Sequence, residues 1–321
     1  MLEYNREAAR EARRRRIRRE RMIGAGTLIA VVLGAGVMLW PHGSPTRQTS
    51  VAVHHKKPPP PQLPRGGREV LPAFRVIAYD GAPNAPLLGP LGAENIDQAA
   101  ARLNQQAEAY DTPARPVLPA FELIATLAQR DAGDDGNYNG RLDDATIGRY
   151  LAAARRARAL LILDIQPGQS SFMTEVQHYG HWLKQPDVGI ALDPEWSMAP
   201  GEVPGTVIGS TTATVVNQVA NYMAGYVKRG DLPQKLLMVH QFTSDMIKNR
   251  GELQAVPGIA EAVTVDGFGG RAAKLSKYHL FARTRPDRFN GLKLFYTQDT
   301  NLMKPAEVMH LHPSPDVIVY Q

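Results

Sequence analysis

The sequence predicts an α/β chain folded as a (β/α)8 barrel of the TIM type, and three observations carry that prediction. From about Arg68 onward, apolar runs of five to seven residues alternate with helix-like stretches. Eight such runs occur within roughly 250 residues, the usual size of such a barrel. The runs are continuous rather than alternating with polar residues, as expected for parallel strands buried on both faces. A doubly wound open sheet is the rival topology. It usually carries a glycine-rich phosphate turn after its first strand, and DGAPNAPLLGPLG at 80–92 is not one.

What precedes the barrel divides into three. Residues 1–21 are a basic, arginine-rich helix former. Residues 22–40 contain no charge, and as a helix they would span roughly 28 Å, about one hydrocarbon core. Arginines ahead of the apolar run predict a cytoplasmic N-terminus and an extracytoplasmic barrel on a single-pass anchor. A cleaved signal peptide is the alternative, but no A-x-A-like site follows. Residues 41–66 are a proline-rich linker, with Pro58–Pro61 favouring an extended spacer. His54 and His55 belong to it.

The charge follows this division. Residues 1–66 hold 13 of the 37 Lys/Arg and only four of the 31 Asp/Glu, so residues 67–321 carry a net charge of −3. Nucleic acid binding by the barrel has no electrostatic support. The absence of cysteine excludes disulfides, a thiolate nucleophile and cysteine-ligated zinc. The 43% hydrophobic content allows a sizeable core.

Within the barrel the predicted strands are 74–80, 114–125, 159–166, 188–196, 235–242, 262–269, 292–298 and 316–321. Predicted helices lie between them at 94–110, 145–158, 172–184, 211–228, 243–253, 274–282 and 305–311. The chain ends on the eighth run, so the barrel is expected to lack its last helix. Residues 60–73, a neighbouring helix or another subunit would then cover strand eight.

Catalytic side chains of such barrels sit at the C-terminal ends of the strands, and here those ends are polar. In order they offer Tyr79 and Asp80; Glu122; Asp164 and Gln166; Asp193 and Glu195; His240 and Gln241; Asp266; Tyr296 and Gln298; and Tyr320 and Gln321. Carboxylates converging from four strands are costly to bury unpaired, so a wet, acidic mouth is expected. Glycoside hydrolysis needs one protonated carboxyl and a second carboxyl group as nucleophile, base or stabiliser, and crowding keeps one of them protonated. The candidate catalytic residues are Glu195, Asp193, Asp164, Asp266 and Glu122. Candidate substrate-binding residues are Tyr79, Asp80, Trp196, His240, Gln241, Tyr296, Gln298 and Tyr320. Read as a strand to its end, VGIALDPEW would put Asp193 and Glu195 on one face.

The same stretch resembles the fourth-strand motif of chitinase-type glycoside hydrolases (family 18), whose short form is DGIDLDWE. Gly189, Ile190, Leu192, Asp193 and Glu195 match it in place; Val188 and Ala191 stand where the family has its first two aspartates, and Pro194 replaces an aromatic residue. The resemblance implies that Glu195 is the proton donor and Asp193 the aspartate beside it.

Other motifs have plainer readings. Asp135, Asn137, Asn139 and Asp143 match part of a calcium loop, but Thr146 stands where the bidentate Glu belongs. An Asx-rich turn leading into a helix is the simpler account, and no cofactor is expected beyond a weakly held structural calcium. His178 and His181 fit an outer helix surface, and His310 and His312 lie before strand eight. The glycines of DGFGGRAAK (266–274) fit a tight turn.

Three functions compete. One is a membrane-anchored, extracytoplasmic glycosidase-like hydrolase of a polysaccharide. Another is a non-catalytic barrel that binds envelope glycan or an assembly partner, which the two replaced aspartates favour. The third is a metal-dependent hydrolase using Asp164, Asp193, Glu195, Asp266 and His240.

Overall fold

A computed structural model describes residues 59–282 and 288–321. The basic segment, the apolar span 22–40 and most of the linker lie outside the described residues. Among those described, no helix is long and apolar enough to cross a membrane.

Eight parallel strands close into a barrel. They are β1 (Arg75–Gly81), β2 (Val117–Ala128), β3 (Leu160–Ile165), β4 (Val188–Leu192), β5 (Lys235–Gln241), β6 (Ile259–Val265), β7 (Phe289–Leu294) and β8 (Val317–Tyr320). Each pairs with the next, and β1 pairs with both β2 and β8, so the barrel strands have no free edge. Besides the single turn Pro90–Ala93, the helices are α1 (Ile96–Glu108), α2 (Asp144–Arg156), α3 (Phe172–His178), α4 (Ala213–Gly230), α5 (Arg271–Phe281) and α6 (Pro305–Met309) among the described residues. Side chains cap the entry to four of them: Asn95 for α1, Asp143 for α2, Ser171 for α3 and Thr212 for α4.

Two buried clusters separate the faces of the strands. The outer one joins Ile77, Phe121, Leu163, Ile190, Val239 and Ile318 to the apolar stripes of the helices. The inner one holds Val76, Ala78, Ala120, Ile162, Ala191, Met238, Ala262 and Val319, with no helix residue. Five of its residues are alanines, which suit a narrow bore. Leu63, Val70, Leu71 and Phe74 belong to the same cluster. The segment before β1 therefore plugs the bottom of the barrel with apolar side chains, leaving the top as the open end.

Strand eight is covered by a neighbouring helix. Tyr320 on its outer face lies 2.5 Å, hydroxyl to hydroxyl, from Tyr110, just beyond α1, and accepts a 3.1 Å hydrogen bond from Gln106 of α1.

Four expectations need correction. The stretch 243–253 is not a helix. Ile247–Lys248 pairs with Thr211–Thr212, and Arg250–Glu252 forms a single 3-10 turn. Asn249, in the left-handed region, breaks the helical pattern. Strands six and seven run 259–265 and 289–294 rather than 262–269 and 292–298, strand six beginning after Gly258 at φ +85°. Strand four ends at Leu192, because Pro194 has no N–H to extend the ladder, and Pro194–Trp196 forms a 3-10 turn. Asp193 and Glu195 are thus not successive same-face residues of one strand.

Candidate functional site

Side chains alternate along a strand, and the inward register of the barrel turns polar at its top. Above the apolar layers, β1 carries Asp80, β2 carries Glu122, β3 carries Asp164, and β5 carries His240. Asp193 follows β4 directly, Asp266 follows β6, and Lys293 comes from β7. All seven are buried. Glu195, one turn past Asp193, is partly exposed.

Two cations hold this acidic ring together. His240 Nε2 lies 2.7 Å from Glu122 Oε1, and its Nδ1 lies 3.2 Å from Asp266 Oδ2. Lys293 Nζ lies 2.9 Å from Asp80 Oδ2 and 3.5 Å from Asp266 Oδ2. Burial alone would strip the proton from His240, but Glu122 and Asp266 outweigh it and hold its pKa well above the ordinary value. Burial works against Lys293 in the same way, and Asp266 and Asp80 lead the carboxylates that keep it charged.

The carboxyl groups divide by environment. Burial pushes Asp266 up, but Lys293 and His240 overcome this and depress it well below the usual range. Asp80 is raised to about 7 by burial, with Lys293 holding it back. Asp164 is raised well above its ordinary value by burial and then by Asp193 and Glu122. Asp193 is raised chiefly by burial. Burial, then Asp193 and Asp266, lift Glu195 to about 8. Near neutral pH the ring therefore offers a protonated acid, Glu195, and a charged carboxylate, Asp266.

A cavity of about 530 Å³ opens over this ring. Asp193, Glu195, Asp266 and Lys293 line its polar part, with Gln166, whose amide donates a 3.3 Å hydrogen bond to Asp193 Oδ2. Trp196, Phe242, Phe268 and Phe295 supply aromatic surface. Two-thirds of Phe268 is exposed, which makes it the rim of the opening.

The structure gathers the predicted catalytic set, with Asp193, Glu195 and Asp266 at the cavity surface and Glu122 and Asp164 buried in the same ring. Of the predicted substrate-binding residues, Trp196 lines the cavity, while Asp80 and His240 are part of the ring. The tyrosines are elsewhere. Tyr79 and Tyr320 lie on the outer register, and with Tyr296 they form a ring cluster beside Arg102. Tyr296 and Gln298 line a separate, smaller cavity of about 180 Å³. Gln241 faces away from His240, and its amide donates to Thr243 O at 3.1 Å. One parity step separates each of Tyr79, Gln241 and Tyr320 from the bore.

Sequence reading passed over Lys293, Lys277, Phe242, Phe268 and Phe295. A signal for Lys293 was present: a lysine inside the apolar run LKLFYTQ, two residues before Phe295.

The other motifs resolve structurally. Asp135 Oδ1 accepts from the Asn137 N–H at 3.0 Å, Asn139 donates to Pro167 O at 2.7 Å, and Asp143 caps α2. These are the bonds of an Asx turn and a helix start. His181 Nε2 lies 2.9 Å from Asp144 Oδ1 on an exposed surface. In the glycine turn, the Gly267 N–H donates to Asp266 and the Gly269 N–H to Asp299.

No protein-family model matches the chain, and no curated protein matches it at a significant level. Among solved structures it is similar to the spore coat polysaccharide biosynthesis protein spsE of Bacillus subtilis, with 12% identity and a TM-score of 0.40 over 78% of this chain. The match spans 60% of that protein's length. A sugar phosphate isomerase/epimerase of Parabacteroides distasonis matches at 13% identity and a TM-score of 0.36, over 78% of this chain and 89% of that one. Likeness at this level has no bearing on activity.

Proposed function

We propose that this chain is a carbohydrate-active barrel of the glycosidase type, in which Glu195 protonates the leaving oxygen of a polysaccharide. The observation that carries this reading is the environment of Glu195. It lines the cavity, and burial beside Asp193 and Asp266 lifts its pKa to about 8, so it holds a proton at neutral pH. Asp266, kept ionised by Lys293 and His240, supplies negative charge to a developing oxocarbenium ion. Trp196, Phe242 and Phe295 offer apolar faces to a sugar ring.

The aspartates replaced by Val188 and Ala191 also find an account. Ala191 faces the bore, and its register partner on β3 is Asp164. Asp193 is, after burial, the largest influence that raises Asp164. A neighbouring strand thus delivers to Asp193 the carboxyl that β4 itself does not.

The expected arrangement in the cell is an anchored enzyme: residues 22–40 in the membrane, residues 41–66 as spacer and the barrel outside. Protease treatment of intact cells should then cleave the barrel and spare residues 1–21.

A second reading, a barrel that binds glycan without cleaving it, is favoured by the same replaced aspartates. One experiment separates the two. Reducing ends are measured after incubating the full chain with glucose- and N-acetylglucosamine-based polysaccharides, beside Glu195→Gln. Hydrolysis by the wild type that the variant abolishes supports the enzyme. Binding with no release by either protein supports the second reading.

A further inference from the structure

We propose that Glu122, Asp164 and His240 form a binding site for one divalent transition-metal cation of the zinc or manganese class, set into the floor of the barrel mouth. Each residue brings one potential ligand atom, and the three atoms lie within 4.8 Å of one another. They come from β2, β3 and β5, strands whose positions the closed sheet fixes.

Unpartnered atoms point to a ligand independently of this clustering. Glu122 is fully buried and Asp164 is 2% exposed, yet Glu122 Oε2 and Asp164 Oδ1 have no hydrogen-bond partner. Buried polar atoms are rarely left so. The protein's own cations do not remove the problem. Lys293 is engaged with Asp80 and Asp266, and His240 has one nitrogen toward Glu122 and the other toward Asp266.

The donor set selects the ion. Two carboxylates and an imidazole suit a borderline or moderately hard divalent cation, and no thiolate is present to favour a soft one. A ligating histidine characteristically gives its other ring N–H to a carboxylate, which fixes the tautomer. Asp266, 3.2 Å from Nδ1, is placed for that role, leaving Nε2 for the cation. With three protein ligands beneath a cavity, coordination positions remain for water or substrate oxygen.

This site is tested without activity. The full chain is purified in detergent, stripped with a chelator and titrated separately with Zn²⁺ and Mn²⁺, following heat and bound metal. One equivalent per chain is expected for at least one of the ions. Glu122→Gln and Asp164→Asn should each weaken binding at least tenfold. Asp266→Asn, which removes no ligand, should weaken it roughly 10- to 100-fold. Asp135→Asn, in the Asx turn, should leave it unchanged. Absence of stoichiometric binding by the folded wild type overturns the proposal. So does affinity that survives both Asp164→Asn and Asp266→Asn, or that falls with Asp135→Asn.

Discussion

Lys293 Nζ sits 2.9 Å from Asp80 Oδ2, tying strand seven to strand one across the top of the barrel, with both side chains buried. Only β8 stands between these two strands in the sheet. The pair therefore spans the seam at which the first and last strands close the barrel, and the same ammonium reaches Asp266 on the other side.

Removing that cation should destabilise the fold. Lys293→Met leaves Asp80 and Asp266 buried without their main counter-charge. Breaking a buried pair from one side costs about 3–5 kcal/mol. Urea unfolding at pH 7 should show a loss of that order, and a midpoint equal to wild type would contradict the role given to Lys293.

The stability effect of Glu195→Gln should depend on pH, with a definite sign. The folded-state pKa of Glu195 is about 8, against about 4.3 for an unfolded glutamate. A raised carboxyl pKa contributes stability that is complete below the unfolded value and is lost as pH rises through the folded one. Glutamine never ionises. The variant should therefore gain on the wild type as pH climbs from about 4 to 9. Paired denaturation curves across that range check this, and a constant difference would mean that Glu195 keeps an ordinary pKa.

Gly189 matches the chitinase-type motif, but its role here is spatial. A Cβ at this position would lie 2.5 Å from Leu236 O and 2.8 Å from Ile162 Cδ1. Overpacking of this kind costs about 1–3 kcal/mol. Gly189→Ala should lower the unfolding midpoint accordingly, whereas unchanged stability would show that β4 and β5 can separate without penalty.

The plug should matter as much as the strands. Leu71 is 1% exposed inside the inner cluster. Leu71→Ala should cost about 2–5 kcal/mol, as for other buried leucines. A loss below 1 kcal/mol would indicate that residues before β1 close the barrel only loosely.

Much of this architecture was legible in the sequence. Strands buried on both faces leave continuous apolar runs, and the polar residue ending most runs marked the open end. Parity was harder to read. Tyr79 beside Asp80, and Gln241 beside His240, differ by one residue and face opposite sides, and only the register decides which enters the bore. Lys293 was hidden because a lysine within an apolar run reads as an interruption until its neighbours Asp80 and Asp266 arrive from distant strands. The relation of Asp193 to Glu195 was misjudged because Pro194 ends the strand between them. The plug was obscured by its proximity to the proline-rich linker, from which its spaced apolar residues do not stand out.

The central claim, that Glu195 is the proton donor and keeps its proton near neutral pH because of burial and Asp193, is tested most directly by the pH dependence of kcat/KM on a polysaccharide the wild type hydrolyses. The account predicts activity that falls above about pH 8 as Glu195 loses its proton. It also predicts that in Asp193→Asn, with one neighbouring negative charge removed, this limb moves to lower pH. An alkaline limb unmoved by Asp193→Asn, or turnover that persists in Glu195→Gln, would contradict it.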